Sequence, residues 1–277
     1  MSAVLRRDRW VMLSGLAVIV ALAWAYLAVL ATGMQSMVMP SMDVAGAPMA
    51  GATLSMPTAS LTTAVMPQMQ SWGATDVVLT FVMWAVMMAA MMVPSASPML
   101  MMVGATARRR QASPYLVTGL FLLGYLVVWT LFSALAAGGQ WGLHSTALLS
   151  PAMVSTSPIL GGALLLAAGI FQWTPLKWAC LSHCRSPLGF ILTDWRDGSW
   201  GAFRMGVKHG AVCTGCCWAL MTLLFVVGVM NLAWVAAIAA FVLIEKVVTA
   251  GPWIGRATGV GLGATGLWMG LPAVLAA

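Results

Sequence analysis

Five cysteines, all beyond residue 179, are the side chains of this sequence best suited to chemistry. Cys213, Cys216 and Cys217 fall within the string "KHGAVCTGCCWALM", with His209 one turn upstream. Cys180 and Cys184 bracket His183 in "CLSHC". Successive residues on an α-helix turn by about 100°, so His209, Cys213, Cys216 and Cys217 lie at about 0°, 40°, −20° and 80°. One imidazole and three thiols then share an arc of roughly 100° over two turns. Thiolate and imidazole are soft or borderline donors that suit Cu(I), with Zn(II) as the alternative ion. A single buried Cys packs as a small apolar residue. So dense a group with a His beside it reads instead as a ligand set: Cys213, Cys216 and Cys217 as ligands, His209 at the edge, and Cys180 and Cys184 folding back as an uptake or transfer pair.

Other residues extend this reading. Glu245 and Lys246 end the apolar run "LAWVAAIAAFVLI". Cys217 and Glu245 each lie 14 residues from a turn at Asn231, so a helical hairpin sets them at the same depth, roughly 20 Å from that turn. A carboxylate at such a depth is costly unless paired or hydrated. It could support a metal ligand from outside the coordination sphere, with Lys246 beside it, or pair with Lys246 or Lys208. Met83, Met87 and Met91, in "FVMWAVMMAAMMVPSASPMLMM", recur every four residues. Their thioethers could form a soft relay for Cu(I), although Met is also adaptable core filler. Met88 and Met92 form a second row. Pro94 and Pro98 predict a break in that helix, freeing carbonyls for a pocket.

The elements that must position these groups are membrane helices. The 277 residues are 61% hydrophobic and only 7% charged, with a mean hydropathy of +0.95. A soluble domain carries about 25% charge and a disordered chain more, so both classes are excluded. Spans of about 20 apolar residues are expected at about 10–32, 76–103, 115–137, 158–175, 206–230, 232–249 and 256–275. The fold class is therefore all-α: a polytopic bundle of about seven transmembrane helices, six if the glycine-rich last one is re-entrant. Its organisation reads as an N-terminal helix over 1–32, a Met-rich extracytoplasmic linker over 33–75, and a polytopic domain over 76–277 with a cytoplasmic Cys-containing loop at about 176–205. With the N-terminus in the cytoplasm and seven crossings, all 13 Lys and Arg fall on the inner side while Asp43 and Asp76 fall outside, as the positive-inside rule requires. The net charge of +7 thus reflects topology rather than nucleic-acid binding. Localisation in a bacterial inner membrane follows, with the lipid bilayer as the first partner. The glycine-rich stretch 256–275 offers a small-residue surface for oligomerisation.

The strings "MWAVMMAAMMVPSASPM", "FQWTPLKWACLSHCRSPLGF", "GVKHGAVCTGCCWALM" and "GVMNLAWVAAIAAFVLIEK" resemble a bacterial domain-of-unknown-function family of predicted metal-binding integral membrane proteins. The likeness covers about residues 76–250. It implies metal binding without fixing the metal. It implicates Gln172, Pro175, Lys177, Cys180, Cys184, Cys213, Cys216, Cys217, Asn231, Glu245 and Lys246 together with the Met-rich helix.

These readings converge on a membrane protein that binds a soft metal, copper(I) first, for copper handling, transport or delivery. Its partner would be a copper chaperone or a membrane-protein assembly factor. Two rivals remain. One is a thiol oxidoreductase using the Cys pairs. The other is a structural or assembly subunit in which Cys and Met only pack. No Walker loop, HExxH, GxSxG or dinucleotide fingerprint is present, which argues against catalysis.

Overall fold

The computed structural model describes residues 2–38, 73–145 and 157–275. Ten helices make up the described residues: α1 (Ser2–Val38), α2 (Ala74–Arg109), α3 (Pro114–Ser145), α4 (Pro158–Phe171), α5 (Pro175–Cys184), α6 (Pro187–Asp194), α7 (Gly198–Thr222), α8 (Leu224–Val227), α9 (Leu232–Val247) and α10 (Gly251–Leu275). No strand occurs among these residues. The Met-rich segment falls almost wholly outside them.

Local chemistry sets the boundaries. Pro158, Pro175 and Pro187 each open a helix, where the missing N–H costs nothing. Ser157, Thr174 and Asn231 cap α4, α5 and α9 by accepting from Leu160, Lys177 and Trp234 backbone N–H groups. Gly228, at φ 92°, supplies the left-handed turn before α9. Pro94 and Pro98 do not break α2, which runs unbroken to Arg109. The Pro94 carbonyl, which a proline at 98 cannot reach, accepts the Ser97 hydroxyl instead, at 2.8 Å.

Among the described residues, five helical stretches are long and apolar enough to cross a membrane: Trp10–Gly33, Ala74–Arg109, Pro114–Ser145, Gly198–Val227 and Gly251–Leu275. The pair α4 and α5, bent by 65°, adds a sixth if it forms one broken span. Set against the expected seven, or six, spans, the described residues thus hold five, or six with the bent pair. The shortfall is α9: its 16 residues extend about 24 Å, less than the roughly 30 Å hydrocarbon core. The glycine-rich α10, the weakest of the expected spans, is long enough. Gly255, Gly259 and Gly266 of this helix serve contacts within the chain. A Cβ on Gly162 would meet the Gly266 carbonyl and Gly270 at 2.8 Å, and one on Gly169 would meet Gly259 at 2.7 Å, so α4 and α10 touch backbone to backbone.

Charged contacts gather at one end of the bundle. Asp8 pairs with Arg108 and accepts from the Tyr115 hydroxyl at 2.8 Å, laying α1 antiparallel to α2. Arg110 reaches Asp197 at 3.6 Å and stacks over Trp195, and Lys208 pairs with Asp194. Two of the 13 basic residues behave differently: Lys177 and Lys246 are only 1% and 8% exposed and belong to the interior.

Candidate metal centre

The segment expected as a polar loop over 176–205 is mostly helical, and α5 and α6 pack back onto the bundle. α3 and α7 cross where both lack side chains. A Cβ on Gly206 would collide with the Phe121 carbonyl, and one on Gly124 with the Phe203 carbonyl. This close approach brings Tyr125, beside Gly124, to the Cys face of α7. Its hydroxyl lies 3.1 Å from Cys213 Sγ and donates to the Met92 carbonyl of α2 at 3.2 Å.

The cysteines converge. Cys213, Cys216 and Cys217 are buried at 0%, 2% and 1% exposure. Cys184, at the end of α5, is half-buried and packs against the same core. Cys180 is half-buried and rests over Gly215, where an added Cβ would come within 2.9 Å of its sulfur. All five are free thiols. Cys216 and Cys217 both donate to the Cys213 carbonyl at 3.0 Å, and Cys217 Sγ is 3.9 Å from Met92 Sδ. The thioether that reaches the thiols is thus in the second Met row. Met83, Met87 and Met91 are also buried on the same helix. Cys213 stands 15 residues into α7, about 22 Å along it, so the cluster lies mid-helix rather than near the helix tip.

His209 is buried on the same helix, but among rings: Phe121, Tyr125 and Phe190 centroids are 5.7, 5.8 and 5.6 Å away. It supports Tyr125 by stacking, and none of the hydrogen bonds among the described residues joins it to a thiol. His183 turns outward and bonds the Ala179 carbonyl at 2.9 Å.

Glu245 and Lys246 have separate partners, neither each other nor Lys208. Neighbouring side chains on α9 diverge by about 100°. Glu245 holds Lys177 Nζ through both oxygens, at 2.7 and 2.9 Å, and Lys177 also donates to Gln172 Oε1. Gly255 gives the carboxylate room, because a Cβ there would strike Glu245 Oε1. Arg185 caps the same helix by donating to the Glu245 carbonyl at 2.7 Å. Lys246 Nζ instead reaches Cys213 Sγ at 2.9 Å and Ser95 Oγ at 3.0 Å. Ser95 gives its own proton to the Met92 carbonyl.

Among the described residues no three His, Cys, Asp or Glu side chains form a ready-made metal-holding group. The reason is visible in the bonds. Two thiols are turned to a backbone carbonyl, and Cys213 is engaged by an ammonium. The donor chemistry, four thiols with a thioether beside them, nonetheless suits a soft ion.

A family model described as "PpoB2: Copper chaperone" matches residues 81–269. The chain belongs to the PpoB2 family. The PpoB2 match spans every residue of the cluster, from Met92 to Lys246, and leaves out α1. It agrees with the resemblance drawn from the four strings and makes copper the metal the family name indicates. No curated protein and no solved structure shows a significant match.

Sequence reasoning from the residues alone missed Tyr125, Ser95 and the Lys177–Gln172 pair, the last reached only through the family likeness. Tyr125 was signalled weakly, as one of three tyrosines and one of two set inside apolar runs, with Tyr26.

Proposed function

We propose that this protein binds Cu(I) at the cluster of Cys184, Cys213, Cys216 and Cys217 and passes it to a membrane or extracytoplasmic acceptor. The observation that carries this reading is the meeting of the buried Cys213, Cys216 and Cys217 of α7 with the Met92 thioether of α2, with Cys184 of α5 packed on the same core, in a bundle whose helices suit a bilayer. Thiolate and thioether ligands in a water-poor site favour Cu(I) over harder ions. Cys180, half-buried at the rim, would serve as the exchange thiol, and the buried Met row of α2 as a weaker path towards the Met-rich segment. An N-terminus in the cytoplasm is part of this proposal, supported by the gathering of charged contacts at one end of the bundle.

The test is copper content after detergent purification from copper-supplemented cells. Wild type should retain copper, and a Cys213→Ser, Cys216→Ser, Cys217→Ser triple variant should lose most of it. Equal copper in the two would refute the reading.

A further inference from the structure

We infer that Lys246 is a positioning residue that supplies the counter-charge for a Cu(I) ion held by two thiolates, and so selects a monovalent ion; this rests on the Cu(I) reading above. Three charged side chains meet inside the bundle. Lys177 and Glu245 cancel each other. Lys246 remains, 8% exposed, and among the described residues no carboxylate pairs with it. Its partners are Cys213 Sγ and Ser95 Oγ, and Ser95 serves only as an acceptor because its proton is given to Met92. An ammonium held from water without an anion is costly. The interior therefore carries one surplus positive charge, placed against sulfur.

The charge balance of the candidate metal groups separates them. Two thiols that take up Cu(I) follow 2 RSH + Cu⁺ → [Cu(SR)₂]⁻ + 2 H⁺, with both protons leaving to water. The product carries a net charge of −1 and Lys246 neutralises it. One thiolate with the Met92 thioether would make a neutral Cu(I) group, and a divalent ion on two thiolates is also neutral. Either would leave Lys246 uncompensated. The second sulfur is at hand, since the Cys216 and Cys217 thiols both sit against the Cys213 carbonyl at 3.0 Å. The side chain that selects the ion need not touch it.

The experiment measures Cu(I) affinity of the detergent-purified protein by competition with a Cu(I)-specific chelator under reducing conditions, and Zn(II) affinity in parallel. Lys246→Met should weaken Cu(I) on the order of 100-fold, the cost of removing one partner from a buried charge pair. Lys246→Arg should restore most of that loss, and Zn(II) affinity should not fall. A merely structural lysine would weaken both ions together. Lys246→Gln, which can keep the Ser95 hydrogen bond, carries the same expectation should Lys246→Met fail to accumulate. Unchanged Cu(I) affinity in both neutral variants, or a parallel loss of Zn(II), overturns the inference and leaves the thiol site standing. A wild-type protein that takes up no Cu(I) overturns the site reading itself.

Discussion

Replacing Glu245 by glutamine removes one charge from the pair that clamps α5 to α9. Lys177 and Glu245 are 1% and 2% exposed, and the contact is bidentate at 2.7 and 2.9 Å. In the Glu245→Gln variant the Lys177 ammonium stays buried with amide acceptors alone. Breaking a buried pair from one side costs about 3–5 kcal/mol, whereas replacing both partners by apolar residues is often neutral or stabilising. The introduced amide keeps one hydrogen bond, so the lower end, about 3 kcal/mol, is expected. At roughly 2–4 °C per kcal/mol for chains of this size, the thermal midpoint in detergent should fall by about 6–12 °C. A Lys177→Met, Glu245→Leu double variant should recover most of that fall. Because α5 carries Cys180 and Cys184, the single variant should also retain less copper than the double. The reasoning fails if single and double variants melt together, because the cost would then come from lost packing and not from an orphaned charge.

Other outcomes follow from the same geometry. Met92→Leu, nearly equal in volume, should cost under about 1.5 kcal/mol of stability; it should slow copper loading in a time course while the final copper content stays near wild type. Gly206→Ala places a methyl against the Phe121 carbonyl and should destabilise by about 1–3 kcal/mol or more, read as a fall in thermal midpoint; Gly261→Ala, which meets open space, is the matched control. Lys208 bonds Asp194 and holds its carboxyl below the usual range. A depressed folded value means stability that is present above the unfolded carboxyl pKa and lost as the pH falls through the folded one. The small midpoint difference between wild type and Asp194→Asn should therefore be present at pH 7, about neutral, and vanish in strong acid.

The helices were legible because lipid leaves few options: long apolar runs must be helical, and their lengths follow from the bilayer. What misled was α9, whose apolar run ends on Glu245 and Lys246. As a flanking pair they extended the span, whereas as buried charges they close a shorter helix against its neighbours. The face shared by Cys213, Cys216 and Cys217 follows from helical periodicity, and so does the burial of His209. Periodicity cannot say what stands opposite, so the rings that take up His209 were invisible. The partner of Glu245 was unreadable for the same reason. Lys177 lies 68 residues away, on a different helix just past a bend of 65°, and it looked like one more topogenic charge. Met92 was placed in a row by its spacing, but only the contact between α2 and α7 shows that this row meets sulfur.

The adjacency of Glu245 and Lys246 has a consequence for how such a sequence can drift. One residue inserted or deleted between the Asn231 cap and position 245 would swing both side chains by about 100°, stranding the carboxylate and the ammonium in one event. Substitutions along the lipid-facing side of α9 leave both anchors in place. Length variation in descendants of this chain should therefore concentrate outside that stretch, and outside 248–250 as well, because Gly251 and Gly255 of α10 must keep their places against Glu245.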